Sequence, residues 1–233
     1  MLKQARNLAV TCAALALMLL GAVAHADSAA SPASSPLAAP TVNPRVRVST
    51  NMGDFVIELM QDRAPLTVAN VLRYVREGHY TNTLIHRVIA NFVIQGGGHD
   101  ASNYLIKPVH EPVFNESGNG LQNKRGTVGL ARAEPPHSGN CQFYVNLVDN
   151  AELDPLPTRW GYAVFGKVVD GMDVIDRIGV TPTGGVGPFK SDAPLKPVII
   201  SKVELLDAAA SAAQDSKPVA TPISSSPAVL SPK

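Results

Sequence analysis

The run HRVIANFVIQGG, His86 to Gly97, decides how the rest of this chain is read. It sets a permanently charged arginine, Arg87, among Val88, Ile89, Phe92, Val93 and Ile94, and it stops at Gly96 and Gly97. β-Branched and aromatic residues bounded by glycine are strand composition. An arginine in such a strand is either a solvated side chain on the outer face or a cation set beside an apolar pocket. Parity supports the second reading in part. Val93 and Gln95 share one face with Ile94 opposed, and further along Gln142 and Tyr144 share a face with Phe143 opposed, so one face of each segment can line a groove.

Upstream, Val46 to Val48 and Phe55 to Leu59 are β-type segments separated by turn residues Asn51 to Asp54, so the domain opens with a hairpin. Pro65 suits a first helical turn, Val68, Val71, Leu72 and Val75 follow at helical spacing, and Gly78 stands where the helix would end. Downstream, Gln95 to Gly98 reads as a tight turn, followed by an irregular segment from His99 to Lys124 carrying Pro108 and Pro112. Strands resume at Gly126 to Ala131, Gln142 to Leu147 and Tyr162 to Val169. A second helix, Met172 to Ile178, ends at Gly179, and Val198 to Leu206 is a last strand. Many short strands with just two helices predict a mainly-β fold, a closed antiparallel barrel capped by those helices.

The ends of the 233-residue chain differ in composition from this core. Lys3 and Arg6 precede an apolar run from Leu8 to Val23 and a small-x-small sequence at Ala24-His25-Ala26, which reads as a signal peptide over residues 1–26. Residues 27–44 and 207–233, rich in Ala, Ser and Pro with almost nothing to bury, read as a linker and a tail, leaving one domain over 45–206. Export to the periplasm, or secretion, is therefore expected, without stable membrane insertion once the signal is removed. Cleavage would remove Cys12 and leave Cys141 alone, so no intramolecular disulfide is expected and Cys141 reads as a small buried side chain. A formal net charge of +1 gives no reason to expect nucleic acid or an anionic membrane surface as partner.

Other chemistries are weakly supported. The glycine run lacks the Lys-Ser/Thr continuation of a phosphate-binding loop. His79, His86, His99, His110 and His137 stand at no familiar zinc-ligand spacing, so neither metal nor cofactor is expected.

Four segments in order, HRVIANFVIQGGG, NESGNGLQNKRGTVGLAR, QFYVNLVDNAELD and GYAVFGKVVDGMDVID, resemble the cyclophilins, the peptidyl-prolyl cis-trans isomerases, and most of all their exported bacterial branch. The resemblance covers essentially all of Arg45 to Leu206. It implies an eight-stranded antiparallel barrel with a helix over each end and a substrate groove on the outer wall. It also implies that Arg87 is the catalytic residue and that Phe92, Val93, Gln95, Ala131, Arg132, Gln142, Phe143, Tyr144, Leu153 and Tyr162 bind substrate. Phe92 and Phe143 rest on the resemblance alone, since parity reads either one equally well as barrel core. The family usually has Met at Val93, Phe at Tyr144, His at Tyr162, and Trp or Phe at Glu152, the last of which makes tight cyclosporin binding doubtful. The expected partners are proline-containing unfolded or extended segments, bound by a monomer.

Isomerisation needs neither nucleophile nor proton transfer, which agrees with scattered histidines and no evident acid–base pair. A guanidinium donor facing the prolyl nitrogen, with an apolar pocket for the ring, is sufficient chemistry. A binding module of the same fold that holds prolyl segments without useful turnover is the alternative.

Overall fold

Turn residues at Asn51 and Met52 join strand β1 (Arg45–Thr50) to β2 (Gly53–Leu59), and helix α1 (Pro65–Arg76) follows with its proline in the first turn. The computed structural model describes residues 43–206. Beyond α1 come β3 (Thr83–Ile89), β4 (Val93–Asp100), β5 (Thr127–Leu130), β6 (Phe143–Asn146), a 3-10 turn at Ala151–Leu153, β7 (Val164–Asp170) and α2 (Met172–Gly179), then β8 (Thr183–Val186), β9 (Phe189–Pro194) and β10 (Val198–Leu206). The barrel closes in the order β1-β10-β3-β4-β6-β5-β7-β2, antiparallel throughout, and β8 and β9 form a separate hairpin. The fold is the helix-capped, eight-stranded barrel that the sequence predicted. The signal-peptide and tail readings, and nearly all of the linker, lie outside the described residues.

Period-two alternation decides what fills the barrel. Val46 and Val48, Phe55 and Ile57, Ile94, Val128 and Leu130, Val145 and Phe165 belong to one buried cluster. Helix α1 adds Val68, Val71, Leu72 and Val75, the stripe predicted from spacing, and α2 adds Val174, Ile175 and Ile178. Ala64 supplies no side-chain cap at the start of α1. That role falls to Glu116, whose carboxylate accepts the N–H groups of Leu66 (3.0 Å) and Thr67 (2.8 Å) from a loop 49 or more residues away. A carboxylate there satisfies free N–H groups and faces the positive end of the helix dipole.

One reading of the backbone needs correction. The glycine run is part of β4 rather than a tight turn, with irregular register against β3 between Ile85 and Arg87. Glycine is required there for close packing. A Cβ at Gly96 would lie 2.6 Å from both Ile85 Cδ1 and Leu84 O, and one at Gly97, where φ is +89°, would lie 2.9 Å from the Tyr80 ring. Gly97→Ala is expected to cost about 2–3 kcal/mol by forcing a left-handed backbone and an overpacked aromatic pair, read as a lower urea midpoint at unchanged m-value. The β8–β9 hairpin falls where the sequence assigned no element: TGGV-GP-FKSDAP has too few apolar alternations to read as strands, but Phe189 anchors it, stacked on His86 at 5.4 Å and edge-on to His99 at 5.0 Å.

Candidate active site

The register of four strands sets one row of side chains on the outer wall. Arg87 pairs with Gln95, Gln95 with Tyr144, and Tyr144 with Gly129, crossing β3, β4, β6 and β5 in turn. The alternate row, Val88, Ile94, Val145 and Val128, lies in the core. A glycine at 129 is what lets the row form a hollow, because a Cβ there would collide with the Tyr144 ring.

That hollow is a recess of about 240 Å³. Arg87 and Gln95 form one side, Val93 and Tyr144 line its base, and Phe92, Leu153 and Tyr162 supply further apolar surface, with Ala131 and Arg132 completing the rim. Arg87 is aimed by its neighbours: its Nη1 donates to Gln95 Oε1 at 3.1 Å, and Gln95 Nε2 donates to Gln142 Oε1 at 3.0 Å. This chain leaves the other guanidinium N–H groups of Arg87 available to a ligand, in an environment where excluding water strengthens each bond.

The structure separates two predicted residues from the rest. Phe143 does not reach the recess; it points into the barrel core, 5 % exposed, with its ring 5.9 Å from Tyr80. The physical reason is parity, since its neighbours Gln142 and Tyr144 take the outer face. Gln142 lines an adjoining recess, also about 240 Å³, that shares Gln95, Ala131 and Arg132 with the first. Glu152 is exposed on the 3-10 turn beside Leu153.

Tyr144 brings a hydroxyl to an apolar base, and the structure shows where it goes. The group donates to Asn123 Oδ1 at 2.6 Å, and burial raises its pKa far above the usual phenol value. Asn123 is held in turn by Asp154, which accepts both its backbone N–H (2.7 Å) and Nδ2 (2.9 Å). Asn150 donates to the Phe92 carbonyl at 3.0 Å and to Asn146 Oδ1 at 2.8 Å. The polar end of Tyr144 is thus consumed behind the recess, leaving the ring to face it. Sequence reasoning missed this buried amide cluster, because isolated asparagines in loop sequence carry no pattern that distinguishes it from turn chemistry.

Arg132 lines the recess as expected, and its side chain is also engaged within the protein. Its guanidinium donates to the carbonyls of Ala133 (2.8 Å), Glu134 (2.9 Å), Trp160 (3.1 Å) and Gly161 (3.3 Å), and lies 4.4 Å from the Tyr162 ring centroid. It fixes two loops and holds Tyr162 in the wall. His86, adjacent to Arg87 in sequence, faces the other way and packs on His99 and Phe189. Cys141 is buried, with its thiol pushed up to about 11 by desolvation, which keeps it protonated and unreactive at neutral pH.

The closed antiparallel barrel thus carries on its outer wall a recess of mixed lining, apolar at Phe92, Val93 and Leu153, with an oriented guanidinium at one side, an arrangement suited to holding an extended polypeptide segment. Residues 45–205 match the family model described as cyclophilin type peptidyl-prolyl cis-trans isomerase/CLD, and the chain belongs to that enzyme family. It is 48 % identical over 161 residues to peptidyl-prolyl cis-trans isomerase B of Escherichia coli, covering 68 % of this chain and 97 % of that protein. Identity to the isomerase cyp18 of Streptomyces antibioticus is 44 % over 164 residues, covering 69 % and 98 %. Among solved structures, a cyclophilin-type isomerase of Cryptosporidium parvum, crystallised in the presence of the dipeptide Ala-Pro, superposes with a TM-score of 0.58 at 26 % identity, covering 70 % of this chain and 99 % of that one.

Proposed function

We propose that this protein accelerates cis-trans rotation about X-Pro bonds in exported polypeptides, with Arg87 stabilising the twisted amide and the recess holding the proline ring. The observation that carries the reading is the Arg87–Gln95–Gln142 chain of hydrogen bonds, which aims a guanidinium at the edge of a recess built from Val93, Phe92, Tyr144 and Leu153.

In the planar ground state the prolyl nitrogen shares its lone pair with the carbonyl, and rotation costs about 18–20 kcal/mol. As the bond twists, conjugation is lost, the nitrogen pyramidalises and its lone pair becomes an acceptor. An N–H of Arg87 then gains a partner that it lacked in the ground state, which is the differential binding that lowers a barrier. A guanidinium offers fixed N–H donors and no acceptor, so it meets that lone pair only as a donor. No bond to the protein forms and no proton is transferred. Val93 and the Tyr144 ring, whose hydroxyl is bonded behind the recess, offer apolar surface to the proline ring, and a bound peptide that covers the recess strengthens the Arg87 contact by excluding water.

Export follows from residues 1–26, whose basic start, apolar run and Ala-His-Ala end have the form of a cleaved signal. It places the work in the periplasm or outside the cell, on chains that fold after translocation. The test combines two measurements. Exchange NMR or a protease-coupled assay on an Ala-Ala-Pro-Phe peptide should show accelerated isomerisation by residues 27–233, and intact mass of protein from an exporting cell should show Asp27 at the N-terminus. Peptide binding without acceleration would make the protein a holding module instead.

A further inference from the structure

We infer that Phe114, His137 and Trp160 form a second contact site for the same polypeptide whose proline occupies the recess, taking an aromatic or large aliphatic side chain about two residues away from that proline. This rests on the prolyl-recess reading above.

The three rings lie on three separate loops and pack on one another at the surface. Phe114 stacks on His137 at 4.2 Å, with Trp160 edge-on to both at 5.6 and 5.1 Å. Yet Phe114 remains 55 % and Trp160 42 % exposed, and Leu156 nearby is 56 % exposed. An aromatic cluster that keeps this much surface in water holds interaction energy it has not used internally.

The backbone beneath the rings is locked. Asn115, itself buried, donates through Nδ2 to the carbonyls of Pro136 and Gly161, each at 3.0 Å, and its N–H donates to His137 Nδ1 at 3.1 Å. The Gly161 N–H donates to Ser117 Oγ at 3.1 Å. One asparagine therefore ties together the loops that carry all three rings. Rigid aromatic anchors on a fixed backbone lose little entropy on binding, which is the arrangement found where a few residues dominate an interface.

Continuity with the recess identifies the occupant. Tyr162 lines the recess and Trp160 stands two residues earlier in the chain, a separation of about 7 Å along extended backbone. Arg132 fills the interval, over the Tyr162 ring on one side and bonded to the Trp160 carbonyl on the other. An extended client crossing Tyr162 thus meets the aromatic surface within about two of its own residues. Beyond Trp160 a concavity of about 410 Å³ opens, with Pro155, Leu156 and Pro157 as its apolar wall and Ser117, Thr158 and Arg159 at its polar side, and it has room for one large side chain.

Three acetylated and amidated peptides test the inference: an alanine peptide with one central proline, the same with Phe two residues before the proline, and the same with Phe two residues after it. In the wild type, one Phe peptide should exceed the alanine peptide in kcat/KM by about tenfold. Phe114→Ala should bring that ratio close to one, and Phe114→Leu should retain part of it. Trp160 is the chain's single tryptophan, so its emission should shift on adding the favoured peptide to unmodified protein, and that readout requires no variant to fold. A ratio near one for both Phe peptides in the wild type, or a gain that survives Phe114→Ala, overturns the inference. So does concentration-dependent self-association that Phe114→Ala abolishes, which would give the surface to a second copy. Failure to turn over the alanine peptide would instead count against the prolyl-recess reading itself.

Discussion

Arg87→Ala is expected to lower kcat/KM for prolyl isomerisation by about a hundred- to a thousandfold while prolyl-peptide binding stays measurable. The magnitude comes from the cost of removing one preorganised donor from a developing charge or lone pair, about 3–4 kcal/mol. Binding should survive because the ring-holding surface, Phe92, Val93, Tyr144 and Leu153, is untouched. Arg87→Lys should recover only part of the rate: an ammonium keeps the charge but cannot both bond Gln95 Oε1 and present a second fixed N–H to the prolyl nitrogen. Exchange NMR on a single prolyl peptide measures rate and affinity in one experiment. Equal rates for wild type and Arg87→Ala would remove this donor from the mechanism and leave desolvation by the apolar wall as the source of acceleration.

The second large effect is on stability. His86 is buried and neutral, and burial together with the nearby His99 and Arg87 lowers its pKa from 6.5 to about 4. Its Nδ1 has no hydrogen-bond partner, and its ring stacks on Phe189 of β9 at 5.4 Å and lies tilted against His99 at 4.5 Å. In the unfolded chain the same imidazole binds a proton near pH 6.5, so below that value the unfolded state takes up a proton that the folded state refuses. Stability is therefore complete above about pH 6.5 and falls as pH drops towards 4, by about 3 kcal/mol from this one residue. His79, also lowered by burial, adds to the loss in the same direction. Urea midpoints measured from pH 7.5 to 4 should trace the decline, and His86→Phe, which keeps a ring against Phe189, should flatten much of it. An unchanged slope in that variant would assign the acid sensitivity to other groups.

How much of this was legible in advance depends on the range of the signal. The α1 stripe of Val68, Val71, Leu72 and Val75 and the alternation around Ile94 and Tyr144 are local periodicities, and both were readable because each residue's neighbours in sequence decide which face it takes. The glycines at 96 and 97 were misread as a turn because their reason is the approach of Ile85, Tyr80 and Phe143 from other parts of the chain. The β8–β9 hairpin was not legible for a similar reason: it depends on Phe189 meeting His86 and His99, distant in sequence, rather than on a strand-like pattern.

At the site the division is similar. Arg87, Gln95 and Tyr144 could be named from motif and parity, but the order in which they touch comes from the pairing of β3 with β4 and β4 with β6. The family's usual Phe could be seen to be Tyr at 144, yet whether its hydroxyl would spoil an apolar base depended on Asn123, 21 residues away in sequence and held by Asp154.

By itself, then, the amino-acid order determined the strands and two helices of a closed barrel, because side-chain alternation and helical spacing act over a few residues, while the isomerase motifs were legible through their resemblance to the cyclophilins. Tertiary contact alone decided that Glu116 caps α1, that Phe143 packs in the core, that Arg132 clamps two loops, and that three exposed rings meet beside the recess. Those outcomes require groups far apart in sequence to arrive within a few ångströms of one another, and such meetings exist only once the barrel has closed.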